Sequence, residues 1–272
     1  MVLTKAQNEA LRQRFAPEGS LLRRHQQRML EMMVWLDGVC RRHKIPYWLG
    51  SGTLLGAVRH GGFIPWDDDV DIEFLHDDYP RLLEVLAKET RGTDYALQTH
   101  ATDPGYFFTY AKLRDRRSQM QELTDYDRIF TYRGIYLDLF SLERMPGALH
   151  WLSNRTFGMI YKVLKNPEYN NQQLIRKTDR IYRLNDRFIF PFLRALSRPF
   201  SQRLLHYSPG IPFESARDPQ ELFPLSTVEF EGHRFLAPHA PEAYLQRMFG
   251  DWQKLPDLNK IQTHTSRLTF QD

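Results

Sequence analysis

The sequence predicts an α+β fold in which strands and helices interleave up to about residue 145 and a basic helical segment follows. Three observations lead there. Leu22, Met29, Met33, Leu36 and Cys40 recur at helical spacing between arginines. Four short apolar or aromatic runs, 47–49, 70–74, 106–113 and 135–140, have the character of strands. From 149 to about 205 the period is helical again and rich in Lys and Arg.

In chain order, residues 21–43 form an amphipathic packing helix that Ile45-Pro46 ends. Residues 47–49 are a strand, Gly50-Ser51-Gly52 a turn, and 53–59 a short helix. The stretch 60–66 holds two glycines and a proline and reads as a loop. Residues 70–74 are a strand, and Asp77-Asp78 before Pro80 opens a helix over 81–89. Strands over 106–113 and 135–140 come next, then the basic helices, broken at Pro167, Pro191 and Pro199. A hairpin turns at Glu231-Gly232, and a last helix covers 241–250. The expected organisation is an N-terminal helical segment, 1–44, packed on a core of 45–145, with 146–272 completing the same domain.

Of the 272 residues 42% are hydrophobic and 26% charged, which excludes global disorder. Cys40 is the only cysteine, so a disulfide framework and any zinc site built on several cysteines are excluded. The N-terminus has no apolar signal-peptide core, and no run of about 18 apolar residues exists, so a cytoplasmic protein is expected. The net charge of +4 hides two opposed regions. Residues 67–73 read DDDVDIE, with five carboxylates in seven positions, and suggest a cation. Residues 151–205 carry a local +8 and suggest an anionic partner. That basic segment has three readings: a solvated helical face, a peripheral contact on the inner membrane surface, or an acceptor site for an anionic glycan. Nucleic acid is disfavoured because no recognised binding motif accompanies the charge.

Chemistry concentrates in 47–73. A strand runs into a Gly-Ser-Gly turn that opens a helix, where unpaired N–H groups favour a phosphate and glycine lets the backbone approach it. A second strand then carries Asp69 and Asp71 at i and i+2, on one face. Two neighbouring carboxylates repel unless a cation sits between them, and hard oxygen donors favour Mg²⁺ or Mn²⁺. A phosphate cradle beside a metal platform suits phosphoryl transfer from a nucleotide. Asp138, a lone acid inside IYLDLF, is the candidate third carboxylate. Asp67 and Asp68 are either supporting acids of the same site or solvated loop acids. Donor phosphate contacts are expected from Gly50, Ser51, Gly52 and Thr53, with Arg59, His60, Lys112 and Arg114 as further candidates. Tyr47, Trp48 and Trp66 read as core before they read as a base or cation platform. His233, His239 and His264 show no metal-ligand spacing.

The stretch LGSGTLLGAVRHGGFIPWDDDVDI resembles the signature of the LicD and fukutin-related family. GIYLDLFSLERMP is similar to its second motif and FEGHRFLAPHAPEAYLQRMFGDW to its third, so the resemblance extends from about residue 47 to 252. It implies a nucleotidyltransferase fold of the polymerase-β type, a small mixed sheet flanked by helices. It also implies transfer of a phosphorylated alcohol, often phosphocholine, from a CDP-activated donor to a cell-surface glycan or its lipid-linked precursor. Gly50 and Ser51 match the family's glycine-serine turn, Asp69 and Asp71 its paired metal ligands, and Asp138 its third acid. Ser141 and Glu143 stand where relatives often have proline and aspartate. Two rival readings are a D-x-D glycosyltransferase using a nucleotide sugar and a non-catalytic nucleotide- or metal-binding protein.

Overall fold

The computed structural model describes residues 3–200, 203–261 and 265–271. Helix α1 (Lys5–Phe15) starts with a capping box between Thr4 and Gln7. Helix α2 (Leu21–His43) starts at the Ser20 cap and ends where Lys44 turns left-handed, two residues before Pro46. Its apolar stripe, Met29, Met32, Met33, Leu36, Val39 and Cys40, is fully buried, about 1.5–3 kcal/mol for each large side chain. Strand β1 (Trp48–Leu49), helix α3 (Ser51–His60), strand β2 (Asp71–Leu75) and helix α4 (Tyr79–Glu89) follow. Next come β3 (Tyr95–Gln98), β4 (Ala111–Asp115), β5 (Ser118–Glu122) and the long β6 (Tyr136–Arg144).

The second half adds α5 (Gly147–Phe157), α6 (Met159–Leu164) and α7 (Asn171–Leu184). A π turn (Asn185–Ile189) joins α7 to α8 (Phe190–Ser197). Strand β7 (Leu205–Tyr207), helix α9 (Pro219–Leu222), the hairpin β8 (Ser226–Phe230) and β9 (His233–Ala237), helix α10 (Pro241–Phe249) and strand β10 (Thr265–Phe270) complete the described chain. The main sheet runs β1-β2-β6-β4-β3, with β7 also on β6. β2 and β6 are parallel and the other pairs antiparallel, so the sheet is mixed. Asp71 is in register with Asp138, and Asp138 with Lys112, which sets these three in one row across β2, β6 and β4. Ile72, Phe74, Leu137 and Leu139 alternate with that row and are buried in the main core. A second core, including Tyr106, Phe107, Phe130, Phe157, Ile160 and Phe190, lies under the helices of the second half.

Three expectations need correction, and four strands were not foreseen. The strand expected over 106–113 is ladder only from Ala111, because residues 106–110 pack ring on ring, Tyr106 on Phe130 and Phe107 on Phe108. Asp69 precedes β2 rather than lying in it, although pairing reaches back to Val70, whose carbonyl accepts from the Asp138 N–H. Pro191 does not break the helix. It sits in the first turn of α8 directly after the π turn, where the wider winding accommodates a residue that cannot donate to a helical carbonyl. Strands β3, β5, β7 and β10 carried too little apolar alternation to be read; β5 is SQMQE.

Three buried histidines link this packing to pH. Desolvation lowers His25 to about 4, His150 to about 4 and His60 to about 3. Neutral in the fold, they bind protons only in the unfolded chain between pH about 6.5 and about 4. Their stability contribution is therefore complete above 6.5 and is lost as pH falls, at about 1.4 kcal/mol per pH unit for each. His25→Gln is expected to flatten the dependence of Tm on pH across that window by one such step. An unchanged slope in differential scanning calorimetry would contradict the assignment.

Candidate active site

One cleft of about 490 Å³ opens over the row in the sheet. Its polar lining is Ser51, Gly52, Asp67, Asp69, Asp71, Lys112, Glu122, Asp138 and Ser215. Thus Ser51, Gly52, Asp69, Asp71, Lys112 and Asp138, taken from three separate stretches of sequence, share one wall-to-wall space. Helix α3 points its start into it. Gly50 is the N-cap and has no side chain to cap the first turn. Ser51 adopts a left-handed backbone, φ 42°, an unusual conformation for a residue with a side chain. Thr53 lies behind the turn, where its Oγ1 accepts the Asp71 N–H at 2.8 Å and ties the helix to the acid strand.

The carboxyls crowd one another. Burial, then the charges of Asp69 and Asp71, hold Asp67 well above the ordinary carboxylate range. Burial, then Asp69 and Asp138, does the same to Asp71. Asp138 is raised by burial and pulled back by the Lys112 ammonium 3.1 Å away, for a net value of about 6. The donor set is all hard oxygen, and a divalent cation would relieve the repulsion, so Asp69 and Asp71, with Asp138 beside them, suit Mg²⁺ or Mn²⁺ chemically. Among the described residues, however, no three His, Cys, Asp or Glu side chains converge as a ready-made metal site. Lys112 supplies the counter-charge at Asp138 instead.

Beneath the turn lies a buried network that sequence reasoning missed. Glu73 is fully buried and forms an ion pair with Arg217, also fully buried. It also accepts from Trp48 Nε1 at 2.7 Å, Tyr207 Oη at 3.1 Å and Tyr244 Oη at 3.0 Å. The Ser51 N–H donates to Tyr244 Oη at 3.2 Å, and Ser51 Oγ is 3.2 Å from Tyr207 Oη. The strained turn is thus held by two hydroxyls that Glu73 and Arg217 fix in place. Gly50 serves this network rather than the cleft, since a Cβ there would come within 2.7 Å of the Glu73 side chain. The continued alternation Asp69, Asp71, Glu73 was a usable signal for Glu73. Nothing local pointed to Arg217, which is 144 positions away.

Several expected donor contacts face elsewhere. Arg59 is buried and donates to the backbone carbonyls of Trp252 at 2.9 Å and Lys254 at 3.3 Å. His60 Nε2 accepts from Arg59 Nε at 2.9 Å, so its proton is on Nδ1, which donates to Asn8 Oδ1 at 2.6 Å. The two residues staple the C-terminal segment and α1 to α3. Arg114 is buried and donates to Gln98 Oε1 at 2.6 Å and to the Gly134 carbonyl at 2.8 Å. Asp67 faces the cleft, whereas Asp68 is buried and accepts the Thr265 N–H at 2.9 Å. Tyr47 and Trp48 are core, and Trp66 packs edge-on against Phe15. His264 lies outside the described residues.

The remaining wall is aromatic. Phe108, Tyr110, Phe140, Tyr207 and Phe213 line it, each ring centre 4.5–5.6 Å from the next. Lys112 Nζ lies over the Tyr136 ring, 3.3 Å from its centre. Met248 and Phe249 close the space from α10. These residues are scattered from 108 to 249, which is why no local spacing disclosed them.

Residues 44–151 match the LicD/FKTN/FKRP nucleotidyltransferase domain. Over 259 residues the chain is 28% identical to the lipopolysaccharide cholinephosphotransferase LicD of Haemophilus influenzae, covering 86% of this chain and 92% of that protein. A stretch of 38 residues, 14% of the chain, is 53% identical to the ribitol 5-phosphate transferase FKRP of Homo sapiens, of which it spans 8%. A 45-residue stretch is 56% identical to an uncharacterised protein, RP689, of Rickettsia prowazekii, covering 16% of this chain and 17% of that one.

Proposed function

The chain belongs to the LicD and fukutin-related family through residues 44–151, and from that premise we propose that it transfers a phosphorylated alcohol from a CDP-activated donor to a hydroxyl of a cell-surface glycan or its lipid-linked precursor. The observation that carries this reading is the row Asp71, Asp138 and Lys112 opening into the same cleft as the start of α3. In it the first-turn amides and Lys112 bind the donor diphosphate. The acceptor oxygen forms a bond to the phosphorus nearer the alcohol, the bond from that phosphorus to the bridging oxygen breaks, and CMP leaves. Asp138, with a pKa of about 6 beside Lys112, takes the hydroxyl proton on a carboxylate oxygen. Asp69 and Asp71 are the proposed holders of Mg²⁺ or Mn²⁺, which when bound supplies charge neutralisation at the phosphate oxygens. The nucleotidyltransferase fold of the polymerase-β type is part of the same proposal, supported by the mixed sheet and by the matched domain.

The aromatic wall favours phosphocholine over a polyol phosphate. A quaternary ammonium is held by ring faces, whereas a polyol needs hydrogen-bond partners that five aromatic side chains supply poorly. Phe213→Leu keeps the apolar volume and removes a ring. It is expected to lower kcat/KM for CDP-choline about 2- to 30-fold and to leave a polyol donor unaffected. Equal losses on both donors would contradict choline selection.

A donor panel tests the activity itself. Purified protein with a glycan acceptor and Mg²⁺ should release CMP from a CDP-alcohol and stop when the cation is chelated. Release of UDP or GDP from a nucleotide sugar would favour the glycosyltransferase reading, and tight donor binding without turnover would favour the binding protein.

A further inference from the structure

The helical arm of the second half is amphipathic twice. Leu174, Phe190 and Leu193 bury one stripe, with Leu174 and Phe190 in the second core. On the other side Leu184, Phe188, Phe192 and Leu196 recur at four-residue steps and are 48%, 64%, 66% and 44% exposed, and Phe200 continues the series at 56%. In an uninterrupted α-helix, residues four apart drift about 40° round the axis at each step. The π turn at Asn185–Ile189 winds more slowly and removes part of that drift, so the large side chains stay nearer one line. A helix needs one apolar stripe to pack on its domain, and among the described residues nothing covers the second.

Charge identifies the occupant. Arg180, Arg187 and Arg198 are exposed among these residues and have no ion-pair partner among the described residues, while Arg183 pairs with Asp179. Helix α5, packed against α8, adds the exposed Trp151 with the Arg155 guanidinium over its ring at 5.5 Å. A second copy of this chain would bring one +8 segment against another. A soluble anionic polymer would satisfy the arginines and leave the phenylalanines in water. An anionic lipid surface satisfies both, since basic groups meet headgroups while rings enter the interface. Among the described residues no helix is long and apolar enough to cross a membrane, so the contact lies along the surface.

We propose that the stripe Leu184, Phe188, Phe192 and Leu196, with Arg180, Arg187 and Arg198 beside it, docks this protein on an anionic lipid bilayer. The proposal does not depend on the activity, and its test needs no donor or acceptor. The full chain is sedimented with vesicles of phosphatidylcholine alone and of phosphatidylcholine mixed with phosphatidylglycerol. It should sediment with the anionic vesicles and be released as salt rises. The double variant F188S/F192S should weaken binding at least about tenfold, and R187E/R198E about fivefold per charge at low salt. Both variants should keep the wild-type Tm, because all four side chains are solvent-exposed. Anionic vesicles that fail to sediment the wild type, or sediment F188S/F192S equally well, would overturn the proposal. So would a dimer in sedimentation velocity that dissociates in the same variant, which would assign the stripe to a second copy of the chain.

Discussion

Asp71→Asn is expected to reduce CMP release by at least about a thousandfold while leaving the protein folded, and in chelator at neutral pH to raise its Tm. The two effects have one cause. Asp71 is pressed by burial and by Asp69, Asp138 and Glu73, so its charge opposes folding whenever no cation compensates it. Asparagine keeps the volume and removes the repulsion, but it also removes a hard ligand and the field that the transferring phosphate requires. Asp71 is in register with Asp138 on the neighbouring strand, so the substitution leaves the ladder intact. Kinetics of CMP release and a thermal melt on the same preparation check the pair. Wild-type turnover in Asp71→Asn would remove the acids from the chemistry, and a lowered Tm in chelator would show that the carboxylates do not oppose one another.

The second large effect belongs to the buried ion pair. Arg217→Met leaves Glu73 charged, desolvated and without its partner, a loss of about 3–5 kcal/mol. For a chain of this size that is a fall in Tm of about 6–20 °C. Activity should fall further than stability accounts for, because Tyr207 and Tyr244 lose the pair that orients them and Ser51 hangs on both. The double variant Glu73→Leu with Arg217→Met removes both charges and is expected to recover much of the Tm without recovering transfer. A single Arg217→Met variant that melts with the wild type would contradict the role given to the network. Recovery of full activity by the double variant would show that the turn needs no such support.

Legibility in the sequence followed the range of the interaction. The helix over 21–43 and the hairpin at Glu231-Gly232 are local, and their periodicity and turn residues suffice to locate them. Ser51, Gly52, Asp69, Asp71, Lys112 and Asp138 were nameable because each is chemically conspicuous in its own short stretch, and they meet in one cleft. Arg59 and His60 were equally conspicuous beside the glycine loop, yet the end of α3 turns them toward α1 and the C-terminal segment, away from its start. Proximity in sequence to the turn therefore misled where helix length reverses the direction. Glu73 with Arg217, and the ring wall from Phe108 to Phe213, depend on contacts between distant segments that no local period encodes. The segment similar to the family's third motif also gains a physical reason: its hairpin and α10 bring Tyr244 under Ser51 and Phe249 to the rim of the cleft.

The mass of a glycan acceptor after incubation with CDP-choline, Mg²⁺ and purified protein tests the central claim most directly. The acceptor should gain one phosphocholine for each CMP released, and Asp71→Asn should leave it unchanged. An acceptor that stays unmodified while CDP-choline is consumed, or that gains a hexose from a nucleotide sugar instead, would contradict the account.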